Sequence, residues 1–250
     1  MIFSGLGYCD KSQKGFTLVE LMMAVLIFGM VMAAVFTTFN SQQKSQTAQE
    51  AVAEMQQNLR AAMILMSQDI RETGCDPLGS SGAGIVFATP GVFQFTRDIG
   101  GDIVNPNQAN GTVTDPNENV TYGFDPGDDV ARKGVADKGV ASLGRNISLV
   151  NPGPNPPVGT FQPIAENIVA IEFYYMIDDG TLTLTPNAAQ LAHIVRVQVS
   201  LLARAKRADP AYTDNKVYTT AANTNWGPFN DNYRRKLEII TIQIRNKFPS

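Results

Sequence analysis

Glu20 stands immediately before the most apolar stretch of the sequence. The 19 residues from Leu21 to Phe39 carry no charged side chain, and the next charge after Glu20 is Lys44. As a helix this stretch matches the hydrocarbon core of a bilayer, which is about 30 Å thick. A carboxylate in such surroundings costs on the order of a few kcal/mol unless it is paired. Glu20 therefore needs a partner that neutralises its charge.

The other residue types that do chemistry are few and scattered. His193 is the only histidine, so neither a histidine cluster nor a Ser–His pair is available, and we expect it at a strand edge. Asp125, Asp128 and Asp129 could offer oxygen ligands to calcium, but their spacing fits no EF-hand loop, and loop solubility is the better explanation. We predict no enzymatic activity, no cofactor and no metal.

Basic residues and cysteines add little to this list. Arg204, Lys206 and Arg207 form a short basic run, which we interpret as a solvated strand end, with DNA contact as the alternative. The formal net charge of -3 argues against nucleic-acid binding, which needs clustered cations. Cys75, one of two cysteines, is predicted to be a small buried hydrophobe, with a redox or lipidation role as the alternative.

The apolar run is predicted to cross a membrane once. A buried core helix rarely needs apolar residues on all its faces. Lys11 and Lys14 precede the run, so the positive-inside rule leaves the N-terminus in the cytoplasm and sends everything after residue 40 across the membrane. A secretory signal peptide has a shorter apolar region followed by a small-residue cleavage site, and this sequence has neither feature.

Residues 14–20 (KGFTLVE) resemble the class III signal of type IV prepilins. In that family a peptidase cleaves after the Gly, methylates the new N-terminal Phe and leaves a Glu at the fifth mature position. The resemblance implies cleavage between Gly15 and Phe16, N-methylation of Phe16, and a register role for Glu20. The Glu20 carboxylate would pair with the terminal amine of an adjacent subunit. Gly15 suits cleavage because it has no side chain to obstruct a protease cleft.

The same resemblance implies where the chain works and what it meets. A pilin-like precursor sits in the bacterial inner membrane with its head in the periplasm, and later joins a pilus at the cell surface. Its implied partners are inner-membrane lipid, the prepilin peptidase, the inner-membrane assembly platform, other minor and major pilins, and a tip adhesin. Many major pilins carry a Pro about six turns into this helix, where the present sequence has Thr37.

Beyond the apolar run, the pattern predicts one long helix, from Phe16 to about Thr73, and a β-rich head. Apolar residues at three- and four-residue spacings form one stripe: Val52, Met55, Leu59, Met63, Met66 and Ile70. Gly74 is a plausible C-terminal cap, and Pro77 prevents continuation. The predicted parts are a leader at 1–15, a transmembrane or filament-core helix at 16–40, an amphipathic continuation at 41–74 and the head at 75–250.

Alternating apolar residues and turn signals predict the strands of the head. The predicted strands are Val92–Thr96, Val120–Phe124, Asn146–Val150, Ile168–Ile177, Thr181–Thr185, Ile194–Leu202 and Leu237–Arg245. Asp178-Asp179-Gly180 signals a hairpin, and Trp226 is expected to anchor a polar loop or touch a partner. The predicted fold is therefore α+β, with a long N-terminal helix packed by its C-terminal half on an antiparallel sheet.

Further segments narrow the resemblance to the minor pilins called PilW. Residues 57–62 (QNLRAA), 69–71 and 74–77 are similar to the helix end of that group. Residues 233–235 and 241–246 are similar to its last strand, and 195–204 to its preceding strand. The implied function is a structural subunit that helps to initiate pilus assembly at or near the tip. J-type pseudopilins of type II secretion share this plan, so a minor pseudopilin in a periplasmic pseudopilus tip is the alternative. The resemblance is weak from 79 to 160.

Overall fold

The structure, a computed structural model, describes residues 15–100, 108–147 and 159–247. The chain divides into two compact units, 1–47 and 48–250. The first long element is helix α1, Leu18–Arg71, whose ends lie close to the predicted ones. Its N-terminal part belongs to the first unit, and its remainder belongs to the second unit together with every described strand.

One face of α1 is buried in the second unit. The buried apolar side chains recur at helical spacing: Ala51, Met55, Leu59, Ala62, Met63, Met66 and Ile70. This confirms the predicted stripe, with Val52 only partly buried at its margin. Beyond the last turn, Gly74 has a left-handed backbone (φ 71°) and its N–H donates to Thr96 O, 2.9 Å away. A residue with a Cβ is strained in that conformation, which explains the glycine at this position.

The sheet is antiparallel, with the strand path β1-β2-β3-β4-β5-β7-β10 and β6 paired to β5. These strands are β1 Ile85–Ala88, β2 Val92–Thr96, β3 Asn119–Phe124, β4 Ala141–Ile147, β5 Gln162–Ile177, β6 Leu182–Thr183, β7 Ile194–Arg204 and β10 Arg235–Gln243. A separate hairpin joins β8 (Tyr218–Thr219) to β9 (Asn225–Trp226). Two short helices complete the described chain, α2 (Ala188–Leu191) and a 3-10 turn (Arg245–Lys247).

The sheet packs one face, here called the helix face, against α1. Alternate residues of its central strands supply large side chains that are fully buried with the stripe of α1, among them Phe93, Phe95, Tyr122, Phe173 and Tyr175. Successive strand residues point to opposite faces. The opposite, outer face therefore takes the remaining residues, and there Ala170 and Leu202 form a second core with Tyr218 and Trp226. Trp226 thus anchors the β8–β9 hairpin, as predicted.

Most predicted strands are present, and the differences have local causes. β5 begins six residues earlier than predicted. Its second residue, Pro163, does not stop the strand, because it pairs with Gly144 where the register shifts. The strand predicted at Asn146–Val150 begins five residues earlier, since β4 is Ala141–Ile147, and residues 148–150 lie outside the described ranges. The hairpin after β5 is confirmed, since Ile177 N donates to Thr181 O at 2.8 Å.

Asp69 fixes the position of α1 on the sheet. It is buried on the helix face, where Arg97 Nη1 lies 3.0 Å from Oδ1 and Arg145 Nε lies 2.8 Å from Oδ2. The hydroxyl of Tyr122 donates to Oδ2 at 2.6 Å, and burial together with the Asp69 charge raises the pKa of Tyr122. Three donors on three different segments thus converge on one carboxylate. Glu72 also contacts Arg97, at 2.7 Å, but its side chain is 50% exposed.

Asp69→Asn should destabilise the head by about 3–5 kcal/mol, because the largely buried guanidinium of Arg145 loses its anion and that of Arg97 keeps only the half-exposed Glu72. The measurement is urea unfolding of the full chain in detergent micelles, followed by the fluorescence of Trp226, the only tryptophan. Glu72→Gln is the matched control; it removes a half-exposed partner of the same arginine and should cost less than about 1 kcal/mol. Equal effects of the two substitutions would contradict the role of Asp69.

Candidate assembly site on the N-terminal helix

The N-terminal part of α1 exposes its apolar residues on every side. Each side chain from Gly15 to Phe39 is exposed. In the part of the chain that the structure describes, α1 is the one helix long and apolar enough to cross a membrane. An apolar surface of this extent on a protein marks contact with lipid or with other proteins. In this unit the helix is therefore a surface to be covered.

Thr17 and Glu20 form a capping box at the start of this helix. Glu20 Oε2 accepts hydrogen bonds from the Thr17 N–H and the Thr17 hydroxyl, each at 3.0 Å. In return, Glu20 N donates to Thr17 Oγ1 at 3.3 Å. The first N–H groups of a helix have no intrahelical acceptor, and side chains at the cap and three residues later commonly satisfy two of them. Thr17 and Glu20 do so here, and the Glu20 carboxylate sits at the positive end of the helix dipole.

Gly15 and Phe16 precede the capping box and are both open to solvent. A Cβ at Gly15 would meet no atom within 4 Å, and the Phe16 side chain is 90% exposed. The peptide bond between them is not part of α1, which begins at Leu18. A protease can bind a peptide that lies outside regular structure between exposed residues, as this bond does among the described residues. Glu20 lies one turn along the helix from the bond.

Hydroxyl groups farther along the exposed helix bond within it. Thr37 and Thr38 both donate to Ala34 O, at 2.8 and 2.9 Å, and Thr47 donates to Gln43 O at 3.0 Å. In a bilayer no water is available to satisfy such groups. Because each of these hydroxyls donates to a carbonyl of its own helix, none of them is left without a hydrogen-bond partner in an apolar environment.

Two of the aspartates considered together as calcium ligands have structural roles. Asp129 is buried and accepts from Lys133 N and Gly134 N, at 3.1 and 2.6 Å. It holds Gly134 so close to β5 that a Cβ there would lie 2.0 Å from Ile171 O. The solubility interpretation is therefore wrong for Asp129, whose role is structural. Asp125 likewise accepts from backbone N–H groups, from Gly127 N in its own loop at 3.0 Å and from Gly159 N, shortly before β5, at 2.6 Å.

Within the described residues, no three His, Cys, Asp or Glu side chains are grouped as a metal site would require. His193 lies immediately before β7 and is exposed, with Nδ1 2.7 Å from Asp178 Oδ2. Lys206 and Arg207 are exposed beyond the end of β7, as expected of a solvated strand end. The prediction is wrong for Arg204, which is half-buried with its guanidinium 3.8 Å from the ring centre of Tyr233. Cys75 is half-buried rather than buried as predicted, and burial raises the pKa of its thiol, which makes it less reactive.

A buried ion-pair cluster that the sequence did not reveal ties the loop after β7 to the last strand. Arg235 contacts Asp214 at 2.9 Å and Asp231 at 2.6 Å, and its guanidinium lies 3.9 Å from the ring centre of Phe229. The Tyr218 hydroxyl also donates to Asp214, at 3.1 Å. The Tyr-Arg-Arg run at 233–235 was a visible signal, but its acidic partners lie at separations that no local pattern predicts. The cluster holds the β8–β9 hairpin on the outer face.

Comparison with known proteins decides the kind of chain. A model of the prokaryotic N-terminal methylation motif matches residues 10–36, and a model of type IV pilus-assembly protein W matches residues 155–246. In these two segments the chain is type IV pilin-like. The first match contains Gly15, Phe16, the capping box and the exposed helix, and the second contains β5, β7 and β10. The resemblance inferred from the sequence is thus confirmed at both ends of the pilin-like chain.

Two proteins of Thermus thermophilus are similar to this pilin-like chain. The pilin-like protein PilA3 is 26% identical over 192 residues, which cover 72% of this chain and 75% of PilA3. The solved structure of a type IV-like pilin matches with a TM-score of 0.45 and 14% identity, covering 76% of this chain and 95% of that one.

Thr17→Val should loosen the first turn of α1 in the pilin-like chain. Valine has the same shape but neither accepts from Glu20 N nor donates to its carboxylate, and loss of such a cap costs about 0.5–2 kcal/mol. Hydrogen exchange of the full chain in micelles should show amides 18–21 exchanging several-fold faster. Thr17→Ser, which keeps the hydroxyl, should exchange like the unmodified protein. Unchanged protection in Thr17→Val would show that the capping box does not hold this turn.

Proposed function

We propose that this chain is a PilW-like minor pilin, a structural subunit that helps to initiate a type IV pilus and sits at or near its tip. The precursor is anchored in the inner membrane by residues 16–40, with the N-terminus cytoplasmic and the head periplasmic. The prepilin peptidase removes residues 1–15 by cleaving after Gly15 and methylates Phe16. The subunit then passes from the membrane into the filament and acts through contacts, without catalysis.

The observation that carries this proposal is the exposed, charge-free helix led by an open Gly15–Phe16 bond. The apolar segment has no described cover within its own unit. Lipid covers it before assembly, and the equivalent helices of other minor and major pilins cover it afterwards. Both environments are apolar, so the transfer from lipid to filament costs little transfer free energy. A single helix thus serves as anchor and then as assembly surface.

An apolar helix surface does not by itself fix how far one subunit is shifted along the axis of its neighbour, and we assign that role to Glu20. Both donors of its capping box reach Oε2, and no described residue donates to Oε1. Cleavage after Gly15 creates an amine on Phe16, and the amine of an adjacent subunit can pair with the free oxygen while the cap stays intact. Because an unpaired charge in an apolar environment is costly, subunits that bring the two groups together are favoured over those shifted along the helix axis.

The head suits a subunit that starts a filament. The connection between β2 and β3 is held at its described ends by buried carboxylates: Asp98 accepts from Asn110 N and Gly111 N, and Glu118 accepts from Ile99 N and Gly100 N. Loops built this way present a fixed surface to partners, since each backbone bond restricts the chain. The assembly platform and a tip adhesin are the partners that such a surface would meet.

Mass spectrometry of sheared surface filaments tests the proposal. We expect a peptide that begins at N-methylated Phe16, present at a few copies per filament beside an abundant major pilin. Gly15→Ala is the control for processing and should leave full-length precursor in the membrane. If the processed chain instead stays in the envelope, and its deletion blocks protein secretion but not piliation, the J-type pseudopilin function replaces the pilus function.

Glu20→Ala should be processed normally but enter filaments on the order of tenfold less often, because the terminal amine of the neighbour loses its partner. The measurement is the ratio of filament-bound to membrane-bound Phe16 peptide. Glu50→Ala, on an exposed part of the same helix beyond the apolar run, is the matched control and should leave that ratio unchanged. Normal incorporation of Glu20→Ala would refute the register role.

A further inference from the structure

Charge is divided unequally along the chain. Residues 194–250 hold 10 Lys and Arg against 4 Asp and Glu, whereas residues 16–193 hold 8 against 18. All four acids of the C-terminal segment are in ion pairs with cations of the same segment. The surplus of positive charge is therefore displayed by exposed side chains, namely Arg196, Lys206, Arg207, Lys216 and Arg245.

The strand β10 is an unusually regular edge in the middle of this basic segment. It pairs with β7 over all nine residues without a register shift. The opposite edge strand, β1, has four residues and an irregularity between Ile85 and Phe87. Proteins commonly blunt exposed edges by short strands, bulges or prolines. β10 has none of these, and its charged pair Lys236–Glu238 is mutually neutralised at 3.5 Å.

Hydrogen bonds at the two ends of β10 define which groups face its free side. Ala205 N donates to Arg234 O at 2.8 Å, and Ile244 N donates to Val195 O at 3.0 Å. Antiparallel pairs alternate between bonded and non-bonded residues, so the even-numbered residues of 235–243 bond to β7. The odd-numbered residues direct N–H and C=O away from the sheet. None of these outward groups has a hydrogen-bond partner among the residues that the structure describes.

We propose that the free edge of β10 receives an extended acidic segment from the head of a neighbouring pilin-like subunit, as an added strand. Main-chain hydrogen bonds to the outward groups would give the affinity. Cations flank both ends of the edge: Arg196 of β7 is paired with the last residue of β10 and Arg245 follows it, while Lys206 and Arg207 lie near its first residue. The proposal rests on the proposed function, since assembly is what brings two heads side by side.

Two features argue for a different subunit rather than a second copy of this edge. Two β10 edges would bring the same surplus of positive charge together, which is unfavourable. An acidic strand instead neutralises it. At the middle of the edge, Ile239 points to the outer face and is 44% exposed, so an apolar residue of the added strand would cover it.

Site-specific photo-crosslinking in piliated cells tests the proposal with the full chain. A benzoylphenylalanine at Ile239 lies on the edge, and adducts are identified by mass spectrometry. The matched variants are Thr241→Pro and Thr241→Val. Both lose the hydroxyl that accepts from Gln198 Nε2 at 3.2 Å. Only proline removes the outward N–H and places a ring on the edge, while the ladder to β7 stays intact.

The expected result is an adduct between Ile239 and an acidic segment of another chain that carries the N-terminal methylation motif. Thr241→Val should keep this adduct, and Thr241→Pro should reduce it about tenfold or more, with melting temperatures of the two variants within a few degrees. The adduct should also weaken as salt is raised, because screening reduces the attraction. No adduct, an adduct to a second copy of this chain, or equal adducts in the two variants would overturn the proposal.

Incorporation into filaments separates this inference from the proposed function. If the Phe16 peptide is found in filaments but the two Thr241 variants crosslink equally, strand addition is wrong and the minor-pilin function stands. If the processed chain is absent from filaments, the proposed function itself fails, and the neighbour required by the inference fails with it.

Discussion

Burial of one face of α1 against the sheet is the interaction on which the head depends. The stripe from Ala51 to Ile70 fills the helix face of the sheet, and no second described helix of comparable length is present to replace it. Apolar burial is non-directional, so by itself it would let the helix slide or rotate. The convergence of Arg97, Arg145 and Tyr122 on Asp69 removes that freedom, because a buried carboxylate is stable only where all its donors meet.

The two units of the chain use the same helix under opposite requirements. Within the head, a residue of α1 is tolerated according to which face it lies on, since one side meets the core and the other meets water. From Leu21 to Phe39 every side of the helix is apolar, and the hydroxyls of Thr37 and Thr38 are satisfied inside the helix itself. The polar inventory of each unit thus follows from what surrounds it.

How much the sequence predicts depends on the range of the interaction. Helical spacing predicted the stripe of α1, and alternation predicted the central strands, since both patterns are local. β8 and β9 were missed because a strand of two residues is too short to show alternation of apolar and polar residues. Their packing comes from the cluster that Trp226 and Leu202 share on the outer face of the sheet. The burial of Asp69 and Asp214 was missed for a related reason. The sequence alone does not show whether a carboxylate will be exposed to water or paired with an arginine far along the chain, because only the tertiary fold brings the two together.

The two threonine bonds to Ala34 have a consequence for the mechanics of the helix. The Ala34 carbonyl accepts hydrogen bonds from both hydroxyls. In an α-helix the N–H of residue 38 donates to the same carbonyl, so the hydroxyls compete with it. Competition of this kind lengthens the backbone bond and bends helices without breaking them. At Thr37 a proline would interrupt the helix, whereas the threonine leaves it continuous and easier to bend. A helix with one such turn can bend at that point and straighten again without unwinding.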